Sequence, residues 1–170
     1  GKGSLAIWEV QKDDTSDADP QVVAVISNRN SGDVSNLLLI KEGAFKNVEI
    51  SAYIKAGPDG RQSGGGLIWR AIDENHFYLA QWDPKSRAVR LLLFVSGKPS
   101  LLESAPIDAD VTEWHVLEVV HSEETIEVMF DSEPVISYED NQLDFAGWVG
   151  LYAPGSAMPA FDAVTFYSEE

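Results

Sequence analysis

Apolar and polar residues alternate along residues 47–55 (Asn-Val-Glu-Ile-Ser-Ala-Tyr-Ile-Lys) and 124–130 (Glu-Thr-Ile-Glu-Val-Met-Phe), the mark of a strand with one face buried and one wet. Runs of the same kind predict strands over 22–27, 36–40, 66–71, 77–82, 88–95 and 115–121, with more over 135–138, 147–153 and 161–167. Between them stand Gly57-Pro58-Asp59-Gly60, Asp83-Pro84-Lys85-Ser86, Ser96-Gly97-Lys98-Pro99 and Pro154-Gly155-Ser156, each a turn composition. No stretch carries a helical stripe over three turns, although one helical turn fits residues 140–145. About a dozen short strands and one core predict an all-β chain folded as a two-sheet antiparallel β-sandwich, a jelly roll.

The 170 residues make one domain, 1–170, the expectation, since neither a linker nor an internal repeat divides them. A net charge of −16 argues against binding nucleic acid phosphates or anionic lipid, and leaves neutral glycans, cations and basic partners. The acidic residues are scattered, as a solubilising surface has them. With no cysteine the chain has neither disulfides nor thiol chemistry. Its longest apolar runs, such as residues 91–95, are too short to span a bilayer as a helix. Gly1 leads into a polar segment with no basic, apolar leader.

The densest candidate chemistry is the hairpin Gly64-Gly65-Gly66-Leu67-Ile68-Trp69-Arg70, turned by Asp73-Glu74-Asn75 and returning as His76-Phe77-Tyr78-Leu79-Ala80-Gln81-Trp82. Regular alternation puts Arg70 on the face opposite Leu67 and Trp69, where its guanidinium either grips a ligand's hydroxyls or pairs with an acidic neighbour. On the return strand two arrangements stand open. With Phe77 and Leu79 in the core, Tyr78 and Trp82 form a stacking platform for a sugar ring; with Tyr78 and Trp82 in the core, Gln81 becomes the polar residue of the groove. Trp8, Trp114 and Trp148 lie beside apolar residues and read as core or rim. For catalysis the candidates are Asp73, Asp83 and His115. His76, His115 and His121 lack zinc spacing, residues 57–66 and 96–99 lack the phosphate-loop pattern, and Asp13–Asp19 lacks the glycine and glutamate of an EF-hand loop.

From Trp8 onward the order of Gly66-Leu67-Ile68-Trp69-Arg70, Asn75-His76-Phe77-Tyr78, Trp114-His115, Gly147-Trp148-Val149-Gly150-Leu151 and Phe161-Asp162 resembles the concanavalin A-like lectin/glucanase sandwiches of 3-keto-disaccharide hydrolase type, related to laminin G-like domains. Two stretches depart from that pattern, Gln81-Trp82-Asp83 and Ala153-Pro154-Gly155-Ser156. The resemblance implies a secreted, periplasmic or cell-surface domain that binds carbohydrate on its concave sheet through Arg70 with Tyr78, Gln81 or Trp82. It keeps two alternatives: a hydrolase of modified disaccharides, and a laminin G-like protein-interaction module. The glutamate, aspartate, glutamate alternation of family 16 glucanases is absent. No cofactor is required. The resemblance makes calcium the structural ion, with Asp162 as its side-chain ligand, against the alternative that Asp162 caps backbone amides.

Overall fold

The computed structural model describes residues 3–18, 20–32, 34–57 and 63–168; the turn placed at residues 57–60 falls mostly outside them. It is all-β, with thirteen strands: β1 (Ile7–Lys12), β2 (Gln21–Ser27), β3 (Ser35–Phe45), β4 (Val48–Lys55), β5 (Gly66–Asp73), β6 (His76–Asp83), β7 (Ala88–Val95), β8 (Lys98–Pro106), β9 (His115–Ser122), β10 (Thr125–Phe130), β11 (Glu133–Glu139), β12 (Gly147–Pro154) and β13 (Ala160–Ser168). They pair antiparallel in two sheets, one ordered β1-β2-β13-β4-β9-β10-β11 and the other β3-β12-β5-β6-β7-β8. The result is the sandwich read from the alternation. Residues 140–145 turn without forming a helix.

The strict alternation of β4 and β9 is matched by strict alternation of burial, with Ile50, Ile54, Leu117 and Val119 facing the opposite sheet. Against them the six-stranded sheet sets Leu67, Trp69, Tyr78, Trp82, Leu91 and Leu93. Large rings fill the roughly 10 Å between two sheets well, and each buries on the order of 150–250 Å². The six-stranded sheet is apolar on its other side too. Ile68, Phe77, Leu79, Leu92 and Phe94 form a second cluster there, walled by Leu37, Leu39 and Trp148. Two-sided burial explains why β5, β6 and β7 read as continuous apolar runs instead of alternating.

Candidate functional site

Arg70 is not at the surface. It has φ 47° at a bulge that breaks the β5 register between Trp69 and Asp73, so the alternation assumed for a regular strand fails at this residue. The left-handed turn sends the guanidinium to the end of the sandwich, where it is 0% exposed. There Nε donates to the Lys46 carbonyl (2.7 Å), Nη1 to the Leu143 carbonyl (3.2 Å) and Nη2 to the Glu123 carbonyl (2.9 Å). Burial pushes its pKa down, partly offset by Tyr78, Asp144 and Asp140. Gly147 makes room for the bulge, since a Cβ there would strike the Arg70 backbone. Arg70 therefore staples three connecting segments and meets no solvent-borne ligand.

Tyr78 and Trp82 are likewise core, which excludes the stacking platform. Tyr78 stacks on Trp69 with centroids 5.6 Å apart, its hydroxyl donates to the Asp140 carboxylate, and it accepts from the Leu143 amide. Burial first, then the Asp140 hydrogen bond, raises the phenol above the ordinary tyrosine value. Burial also raises Asp140, but donors from Tyr78 and Gln142 outweigh it and hold the carboxyl below its usual value. Beside them the Trp69 indole donates to His121 Nδ1 at 2.8 Å. His121 is fully buried, and burial, followed by the Arg70 charge, pushes its pKa down to about 4. Its Nε2 makes no hydrogen bond among the described residues.

Gln81 takes the second arrangement: it lies on the outer side of the six-stranded sheet, and the ladder registers set it in a row that crosses the sheet. Leu37 pairs with Tyr152, Tyr152 with Gly66, Gly66 with Gln81, Gln81 with Arg90, and Arg90 with Ser104. Gly66 leaves the middle of the row without a side chain, and a Cβ there would strike the Ala80 carbonyl. Gln81 is 8% exposed, and no hydrogen bond to its amide forms among the described residues. Arg90 is half-exposed and, among the described residues, pairs with Asp83 alone, at 3.6 Å. Further along the same face Phe77 stacks on Phe94 (4.4 Å), Phe94 lies 6.5 Å from Tyr152, and Lys41 sits over the Trp148 ring (4.5 Å). A groove of 440 Å³ opens here between β3 and the turns at Asn75 and Gly97, with Leu39 and Phe94 in its wall and Lys41 and Glu74 at its rim. The half-buried Trp148 ring and the planar side chains of Gln81 and Arg90 are the groups of this face on which a polyhydroxylated ring can stack or hydrogen-bond.

The catalytic candidates do not converge. Asp73 accepts from His76 Nδ1 (2.9 Å) and the Asn75 amide (2.7 Å) at one end of β6; Asp83 accepts from Ser86 Oγ (2.5 Å) at the other end. Seven strand residues separate those ends by roughly 23 Å, whereas glycosidase carboxyl pairs stand about 5–9.5 Å apart. His115 points between the sheets onto Trp82 and Phe130, both its nitrogens engaged, by Asp131 (2.7 Å) and the Asp110 carbonyl (2.7 Å). Asp162 accepts from Ser16 Oγ and from the Ala163 amide (2.6 Å), the capping alternative. Among the described residues no three His, Cys, Asp or Glu side chains gather as a metal site.

A second cavity, of 680 Å³, lies on the seven-stranded sheet among Ala24, Ile26, Lys55, Val111 and Met158. Its cation Lys55 is already held by Thr15 (2.9 Å) and lies over Trp114 (5.7 Å). The groove on the six-stranded sheet keeps more bonding capacity. Lys41 of the groove, and Arg90 and Tyr152 of the row that crosses the same face, escaped the sequence reading. Arg90 alone had left a signal, as the one charge inside the apolar run Ala88-Val89-Arg90-Leu91-Leu92-Leu93-Phe94-Val95.

No protein-family model matches the chain, and comparison with curated protein sequences gives no match. Solved structures do. The carbohydrate binding module CBM66 from Bacillus subtilis superposes with a TM-score of 0.79 at 20% identity, over 96% of this chain and 92% of that one. The Emp47p carbohydrate recognition domain gives 0.61 at 15% identity, over 96% and 89%. The GH43 protein BlXynB from Bacillus licheniformis gives 0.62 at 14% identity, over 89% of this chain but 34% of that one. At these identities the likeness shows the fold: a lectin-like jelly-roll sandwich, shared with carbohydrate-binding and glycosidase-associated domains.

Proposed function

We propose that this protein recognises a saccharide in the groove on the outer side of its six-stranded sheet. The observation that carries the reading is the crossing row in which a side-chain-free position at Gly66 lies between Tyr152 and Gln81, with Arg90 following Gln81, and in which Gln81 and Arg90 keep bonding capacity. Gln81 can both donate to and accept from hydroxyls, and Arg90 presents a planar fork matched to a vicinal diol. Arg70, Tyr78 and Trp82 have no part in it. The carbohydrate-binding names borne by CBM66 and the Emp47p domain support the ligand class. The setting proposed with it is secreted, periplasmic or cell-surface, where polysaccharides are met. Hydrolysis is outside the reading, because Asp73 and Asp83 stand too far apart to act as a pair.

The test is affinity electrophoresis through gels containing a panel of neutral polysaccharides, followed by calorimetry on any that retard the protein. Gln81→Ala and Arg90→Ala are expected to abolish retardation while circular dichroism stays that of the wild type. Equal retardation of both variants and the wild type removes the groove from the proposal.

A further inference from the structure

Strand β1 forms one border of the seven-stranded sheet, and its free side is unusually open. The two borders β8 and β11 carry Pro99, Pro106 and Pro134, which block strand addition, and β3 is broken in register beside Gly147. β1 has no proline and exposes Ile7 (49%) and Val10 (66%). Its pairing with β2 runs Glu9 to Ala24, Val10 to Val23, Gln11 to Val22 and Lys12 to Gln21. The same register continues to Asp13, whose amide donates to the Pro20 carbonyl at 2.8 Å. In an antiparallel ladder alternate residues face the partner, so Gln11 and Glu9 bond towards β2 like Asp13. Trp8, Val10 and Lys12 therefore turn their backbone groups outward.

We infer that β1 docks antiparallel on β1 of a second copy of this chain, across a two-fold axis at Val10. This inference is independent of the saccharide reading. The register sets Val10 against Val10 of the second copy, Glu9 against its Gln11, and Trp8 against its Lys12. Each pair shares a face of the joined sheet. Carboxylate meets amide and the exposed valines cover each other, while Lys12 keeps its bond to Asp14 (2.9 Å) and Trp8 its stack on Phe161 (6.1 Å). Roughly six backbone hydrogen bonds form across the axis. Sliding the strands by two residues either sets Glu9 against Glu9 or Glu9 against Asp13, so charge selects the Val10 register. A net charge of −16 on each copy opposes the association, and salt screens that repulsion over about 8 Å at physiological strength. One strand edge also buries less than the roughly 1,200 Å² of a standard interface, so the association is weak.

Sedimentation velocity from about 10 μM to about 1 mM, in low and high salt, tests this. The wild type is expected to shift reversibly from monomer to dimer, at lower concentration in high salt. Val10→Pro removes an outward amide without touching the β2 ladder, and Val10→Lys sets like charges across the axis; both stay monomeric. Leu101→Lys, on the border strand β8, keeps the dimer. A wild type that stays monomeric throughout overturns the inference, as does a dimer that survives Val10→Lys. Val10→Lys alone decides if Val10→Pro does not fold.

Discussion

Replacing His121 with glutamine should remove a defined share of the protein's acid sensitivity. Buried His121 is neutral in the native state with a pKa of about 4, against 6.5 when unfolded. The unfolded chain therefore takes up a proton that the folded one refuses. Stability is complete above pH 6.5, falls as the pH drops towards 4, and loses nothing more from this residue below that, where both states are charged. Between pH 7.5 and 4.5 the linkage amounts to about 2–3 kcal/mol, a large part of the roughly 5–15 kcal/mol that stabilises a domain. Asp140 and Asp144, held below the usual carboxylate value of 3.8, act in the opposite sense of charge and lose their contribution mainly below that pH. Glu118, raised by burial and by Glu49, offsets part of the His121 loss. The difference between wild type and His121→Gln isolates the histidine. Glutamine Oε1 can still accept from the Trp69 indole, so the variant keeps that hydrogen bond. Urea unfolding followed by tryptophan fluorescence at pH 7.5, 6, 5 and 4.5 should show a fall in stability in the wild type that is smaller by about 2–3 kcal/mol in the variant. Parallel pH profiles would refute the reasoning.

Arg70→Ala should leave the Lys46, Glu123 and Leu143 carbonyls without their donor and cost roughly 3–5 kcal/mol, a fall in Tm of about 10 °C by calorimetry. An unchanged melt would return Arg70 to the surface. Arg90→Ala, by contrast, breaks only a partly exposed 3.6 Å ion pair with Asp83 and should change stability by less than about 1 kcal/mol, so that any loss of glycan retardation reads as lost contact. Asp162 accepts from Ser16 and from the Ala163 amide within the chain, so EDTA should leave the Tm unchanged; a fall restored by excess calcium would establish the ion at that edge.

Most strand positions were legible because one-sided burial writes itself as alternation, as in β4, β9 and β10. The two strands that escaped, β1 and β8, are border strands, exposed on most positions, so no period-two signal separates them from loops. The ambiguity at β6 had a different origin. Tyr78, Ala80 and Trp82 face the other sheet while Phe77 and Leu79 are buried on the outer side, so both residue sets are apolar and local pattern cannot choose between them. Arg70 misled because alternation holds only while the strand stays regular. A positive φ at a non-glycine residue depends on the packing of Gly147 against it, a contact between residues seventy-seven positions apart in sequence, which no local window contains.

That bulge has consequences for the groove. Because Arg70 turns inward, the outer side of β5 offers Gly66, Ile68 and Ala71 and no charge, and the ligand-bonding capacity shifts across the ladder to Gln81 and Arg90. The two outer faces then differ in kind. On the seven-stranded sheet Glu49 and Glu127 flank Val120, with Glu118 nearby, a face that hydrates well and repels anions. On the six-stranded sheet Lys41 and Arg90 border buried rings. In a chain of net charge −16, long-range attraction cannot gather an anionic ligand, so recognition there has to rest on short-range stacking and hydrogen bonds. Such contacts lose little strength to salt. Binding of a neutral polysaccharide through Gln81 and Arg90 should therefore be nearly independent of ionic strength, and a steep fall with added salt would mean that the groove takes a charged ligand instead.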